Sequence, residues 1–145
     1  MKRTIFCLSL LLTISVSTVF AHPGTDPLSE KTFRKEFRTA ENVKWSQEEG
    51  YSKATFLVGG SRAIAWFGAD GQLVGSVRDL LYNQLPLVVM SSVDKRFKDA
   101  AILDVREVTN NEGTRYRLTL EYKARKYNVS VYTDGAISEI SKTKK

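Results

Sequence analysis

Two stretches of this chain match each other without a gap, and that repeat limits the folds open to it. Residues 52–71 align with residues 116–135 at an offset of 64. Ala54, Phe56 and Val58 fall on Leu118, Leu120 and Tyr122, while Ala63, Ala65 and Phe67 fall on Tyr127, Val129 and Val131. Asp70-Gly71 falls on Asp134-Gly135. Upstream, Phe37, Val43 and Trp45 match Phe97, Leu103 and Val105 at an offset of 60. The four-residue difference falls in the turn-like run Thr109-Asn110-Asn111-Glu112-Gly113, where a water-facing backbone tolerates insertion.

Each copy has the pattern of a helix followed by four strands. In the first, Asp26-Pro27-Leu28-Ser29-Glu30 opens a helix, with Ser29 able to cap its amides and Phe33 and Phe37 at helical spacing. Short strands are expected over 42–45, 51–58, 62–67 and 73–77, separated by Gly59-Gly60-Ser61 and Asp70-Gly71 turns. In the second, Pro86 enters the first turn of a helix running to about Phe97, and strands are expected over 103–108, 115–122, 126–132 and 136–140. The expected class is α+β: two tandem helix-plus-antiparallel-sheet repeats, about 28–80 and 86–141, whose strands join in one continuous, mostly antiparallel sheet with the helices packed on one face. Phe33, Phe37, Leu87, Met90 and Phe97 would then meet alternate strand residues in a single core. The opposite face would stand open to water, as antiparallel sheets permit.

The N-terminal segment predicts export. Lys2 and Arg3 precede an apolar run centred on Leu8, Leu10, Leu11 and Leu12, and Val19-Phe20-Ala21 sets small residues before His22. Residues 1–21 are therefore expected to be a cleaved signal peptide, leaving 22–145 as the mature domain in a periplasm or outside the cell. Cys7 sits inside the apolar run, too early for lipid attachment, and leaves with the signal. The mature chain then has no disulfide and no thiol nucleophile, and its formal charge falls from +6 to about +4. No later apolar run is long enough to span a membrane. The basic tail Lys142, Lys144 and Lys145 fits a solvated terminus, and no RNA-binding aromatic signature appears, so a nucleic-acid partner is not expected.

Phe37, Asn42-Val43-Lys44-Trp45, the strand from Tyr51, Ala65-Trp66-Phe67 and Asp70-Gly71-Gln72-Leu73 together resemble the PepSY-like, β-lactamase-inhibitor-like family of exported bacterial proteins. Leu85-Pro86 and Asp134-Gly135-Ala136-Ile137 fit the same pattern, so the resemblance covers essentially the whole mature chain. It implies tandem helix-sheet repeats like those of β-lactamase inhibitory proteins, which bind an enzyme with the open sheet face. It also implies kinship with the PepSY domains of metallopeptidase propeptides. The chain lacks the paired disulfides of the secreted inhibitors, so inhibition of a β-lactamase does not carry over.

Catalysis is poorly supplied. With Cys7 removed, His22 at the new terminus is the one histidine left to serve a nucleophile, and it finds no second histidine for a metal site. Asp70 and Asp134 are each followed by glycine and are explained by turn chemistry. Glu48-Glu49 before Gly50 has the pattern of a hairpin end. No cofactor is implied.

Binding is better supplied. If Ala54, Phe56, Ala63, Ala65 and Phe67 point to the helices, alternation sends Tyr51, Lys53, Leu57, Arg62, Ile64 and Trp66 to the other face. Exposed aromatics beside basic residues have the composition of an interface centre. Arg115, Arg117, Thr119, Glu121, Lys126, Asn128, Ser130 and Tyr132 in the second copy have that of an ordinary solvated face. The expected function is a non-catalytic protein that binds another extracytoplasmic protein through Tyr51, Lys53, Leu57, Arg62, Ile64 and Trp66. A cavity lined by Phe33, Phe56 and Met90 for a small ligand is the first alternative, and a structural role in the envelope the second. The connection over residues 79–85, with Leu80, Leu81 and Tyr82, competes with solvent to cover Trp66.

Overall fold

The computed structural model describes residues 25–142. The expected signal segment with Cys7, the cleavage at Ala21, His22 and the final Lys144 and Lys145 lie outside the described residues. Helix α1 (Pro27–Glu36) is followed by strands β1 (Glu41–Glu48), β2 (Tyr51–Val58), β3 (Ser61–Phe67) and β4 (Leu73–Asp79). A 3-10 turn over Tyr82–Gln84 leads to α2 (Leu87–Arg96), then β5 (Ala101–Asn110), β6 (Gly113–Tyr122), β7 (Arg125–Tyr132) and β8 (Ile137–Lys142).

The eight strands form one antiparallel sheet in sequence order. This overturns the expected α+β class of two tandem helix-plus-sheet repeats: the described residues are mostly β, with only two ten-residue α-helices among them. The expected continuous antiparallel sheet is met through the direct pairing of β4 with β5, from Gly75↔Asn110 to Asp79↔Arg106, and it is the division into repeats that this pairing removes. Two separate units would each expose an unpaired strand edge there, and joining them satisfies both rows of backbone groups. The 60- and 64-residue offsets are thus positions within one sheet.

Alternation decides which side chains are buried. On β2 and β3, Ala54, Phe56, Ala63, Ala65 and Phe67 are buried, and Phe33 of α1 lies over them. On β5, β6 and β7, Val105, Leu118, Leu120, Val129 and Val131 are buried beneath Val89, Val93 and Phe97. The registers carry Phe56 through Ala63, Arg78, Glu107 and Tyr116 to Val131, so both sets share one face. The expected single core is in fact two clusters. Between them the same face turns polar, with an Arg78–Glu107 ion pair at 3.2 Å and a Thr109–Thr114 hydroxyl pair at 2.9 Å. Tyr116 borders this strip, and burial foremost, then the Glu107 charge, raises its phenol pKa.

Local sequence explains the helix ends. The Asp26 carboxylate, rather than Ser29, caps α1 by accepting the Ser29 amide at 3.0 Å, and the buried Ser29 hydroxyl donates to the same oxygen at 3.1 Å. Pro86 stands just before α2 as its N-cap, and Leu87, expected on the inner side, is exposed. Val89 and Val93 take the inner positions instead. Each helix is seated on an Asp-Gly turn: Gly71 packs beneath Leu28 and Ser29, and Gly135 beneath Val88 and Ser92. No helix among the described residues is long and apolar enough to cross a membrane.

Candidate functional site

The face opposite the helices carries the residues singled out by alternation. Strand pairing sets Lys53 beside Trp66, Leu57 beside Arg62, and Ile64 beside Thr55, while Tyr51 lies opposite Glu48 of β1. Tyr51 and Arg62 are exposed, whereas Lys53, Leu57, Ile64 and Trp66 are half-buried. The connection after β4 does not lie over them. Its Leu80 and Tyr82 pack on the α2 cluster, and Leu81 points to water. The Tyr82 hydroxyl donates to the Asp94 carboxylate at 2.7 Å, pinning the connection to α2 on the far side of the sheet. Burial, then the Asp94 hydrogen bond, pushes the Tyr82 phenol well above its ordinary pKa.

Trp66 is held in place by charge. Its indole Nε1 donates to Glu48 Oε2 at 3.1 Å, and the Lys53 ammonium lies 2.9 Å from the same oxygen. Lys53 Nζ is also 6.0 Å from the indole ring centre, at the edge of cation–π reach. The hydrogen bond from Lys53, then that from Trp66, holds the Glu48 carboxyl below the usual carboxylate range. Glu48 is thus more than the hairpin end its sequence context suggests. Composition alone cannot reveal this, because β1 and β3 meet only through β2.

A cleft of about 470 Å³ opens beside Trp66, bounded by Tyr51, Val74, Gly75, Val77, Val108 and Asn110. Gly75 is the register partner of both Trp66 and Asn110. A Cβ at Gly75 would stand 3.0 Å from the Thr109 carbonyl oxygen, so the bare backbone lets the strands close up and leaves a recess beside the indole. Of the six expected residues, Tyr51 and Trp66 line this cleft, and Lys53, Leu57, Arg62 and Ile64 extend away from it along β2 and β3. Val77 and Val108 were missed because only the β4–β5 pairing brings them alongside. The glycine inside a strand pattern was the available signal.

The pocket expected between Phe33, Phe56 and Met90 does not form, and a groove of about 580 Å³ opens instead between α1 and β1, lined by Phe33, Phe37, Val43 and Trp45 with Glu30, Arg34 and Arg38. Phe56 meets Phe33 edge to face at 4.9 Å and Phe37 at a tilt at 4.8 Å, centre to centre, and Met90 packs in the other cluster. The turn aspartates are engaged locally: Asp70 Oδ1 accepts the Gln72 amide at 3.0 Å and Asp134 Oδ1 the Ala136 amide at 2.8 Å. No group of three or more His, Cys, Asp or Glu suited to a metal occurs among the described residues.

No family model matches the chain, and no curated protein matches it. Among solved structures it is similar to a BLIP-like protein of Bacteroides fragilis, with a TM-score of 0.73, 19% identity, and coverage of 84% of this chain and 89% of that one. It is similar to a candidate periplasmic protein of Bacteroides eggerthii, with a TM-score of 0.70, 20% identity, and coverage of 81% and 88%. A DUF2874 family protein of Bacteroides ovatus matches with a TM-score of 0.70, 23% identity, and coverage of 81% and 88%. The sequence resemblance to β-lactamase-inhibitor-like exported proteins is met by these neighbours, and the chain has the fold of BLIP-like and DUF2874 proteins of Bacteroides.

Proposed function

We propose that this is an exported, non-catalytic binding protein that recognises another extracytoplasmic protein through the open face of its sheet. Trp66, Ile64, Leu57 and Tyr51 form the centre of that interface, with Lys53 and Arg62 at its flank. The observation that carries the proposal is the Trp66 indole, half-buried, fixed by Glu48 and bordering an open, largely apolar cleft. A rigid aromatic beside an apolar recess loses little conformational entropy on association, which is why such residues dominate interface energetics. The likeness to a BLIP-like protein supports an inhibitor-like module, and the likeness to a candidate periplasmic protein supports action outside the cytoplasm.

The test is capture from an envelope extract by the chain from His22 onward, with Trp66→Ala as the matched bait. A protein retained by the native bait and lost from the variant is the expected result. If both folded baits retain the same set, the interface is not centred on Trp66 and the proposal falls.

A further inference from the structure

The other half of the open face, over β5 to β8, carries a second and more polar trough of about 370 Å³. Two features of its lining go against ordinary sheet design. Arg106 and Arg117 are direct register partners on β5 and β6, and like charges set opposite each other destabilise a sheet. Arg106 is neutralised, its Nε lying 3.0 Å from Asp104 and 3.7 Å from Asp79. Arg117 has no hydrogen-bond or ion-pair partner among the described residues. Beside it, Ser130 is the register partner of Arg117 and only 6% exposed, yet its Oγ has no partner among the described residues. Buried hydroxyls are nearly always hydrogen-bonded, so an orphan one in the wall of a trough, next to a free guanidinium, points to an absent acceptor.

We propose that Arg117 and Ser130 are the anion-holding pair of a carboxylate-binding site on this face. The guanidinium donates to the carboxylate and the Ser130 hydroxyl supplies a further donor, a combination of charge-assisted and neutral bonds suited to a planar acid. The trough also contains the Asp104 and Glu139 carboxylates. Glu139 pairs with Ser130 on the β8 side, so the trough is close to electrically balanced and selects a monoanion over a phosphate dianion. The carboxylate comes either from an acidic side chain of a bound polypeptide or from a free small organic acid. The site does not involve Trp66, so it stands or falls independently of the interface proposed above.

The test is titration of the isotope-labelled chain from His22 onward, at constant ionic strength, with acetate and separately with a hexaglutamate peptide, read from amide chemical shifts. Saturable shifts at Ser130 and Arg117 are expected, with half-saturation at least tenfold weaker in Arg117→Gln, several-fold weaker in Ser130→Ala and unchanged in Trp66→Ala. Ser130→Ala keeps its melting temperature, because the hydroxyl it removes holds no protein partner. Saturation by acetate supports a free acid as the source, and saturation by the peptide alone supports a side chain. Shifts that stay linear, equal half-saturation in the native chain and Arg117→Gln, or tighter binding of inorganic phosphate than acetate would each overturn the proposal.

Discussion

At Trp66 one carboxylate oxygen serves two donors, the indole Nε1 at 3.1 Å and Lys53 Nζ at 2.9 Å, and this makes the orientation of the indole sensitive to pH. The Glu48 pKa is depressed from its ordinary 4.5, with the Lys53 hydrogen bond the larger cause and the Trp66 bond the next. A depressed carboxylate contributes stability that is fully present above the unfolded value and is lost as pH falls through the folded one. The Trp66 indole N–H resonance is therefore expected to titrate with a midpoint below 4.5, the ordinary value for a glutamate. Glu48→Gln keeps an acceptor for the indole but removes the titration, so its resonance should stay flat across the same range. A native midpoint at or above 4.5 would show that Lys53 does not hold the carboxylate. The outward position of Trp66 was legible from period-two alternation alone. Its partnership with Glu48 was not, since a glutamate before Glu49-Gly50 fits an exposed turn equally well.

Element boundaries follow from local chemistry, but helix placement depends on contacts that no local pattern shows. Turn signals and alternation located β2 and β3 almost to the residue, because Gly59-Gly60 and Asp70-Gly71 end them sharply. For α2, helical spacing put Leu87, Met90 and Phe97 on the inner side, whereas the helix seated on Gly135 buries Val89 and Val93 and leaves Leu87 exposed. Gly71 and Gly60 offer a controlled test of this seating. Both sit at positive φ, +73° and +78°, but a Cβ at Gly60 meets nothing within 4 Å. A Cβ at Gly71 would overlap Leu28 and lie 2.7 Å from its carbonyl carbon. Gly60→Ala should cost only left-handed strain, about 1–2 kcal/mol. Gly71→Ala must also displace the start of α1, adding roughly 1–3 kcal/mol of overpacking. Urea unfolding of the two variants measures the difference, and equal costs would mean that α1 is free to move off its turn.

Across the whole molecule, the two core clusters raise the question of whether the halves fold together. The cluster under α1 is small, its buried apolar members being Phe33, Phe56, Phe67, Ala54, Ala63 and Ala65. Three alanines bury little apolar area, and a unit of this size alone would be marginal. The α2 cluster is larger, and it is joined to the first by the β4–β5 ladder and the Arg78–Glu107 pair. The repeated pattern invited a division into two units, because an offset between similar segments is local information, whereas the pairing that erases the division links residues about thirty positions apart, as in Val77↔Val108. The first half should therefore borrow its stability from the second. Both tryptophans, Trp45 and Trp66, lie in the first half, so their fluorescence reports on it alone. Leu118, 1% exposed, lies in the second. Leu118→Ala should remove about 2–5 kcal/mol by transfer and cavity terms. If the sheet is one cooperative unit, the urea midpoint seen by tryptophan fluorescence falls together with that seen by far-ultraviolet circular dichroism. A fluorescence midpoint that stays at the native value while the dichroism midpoint falls would mean that the β4–β5 ladder joins two independently stable halves.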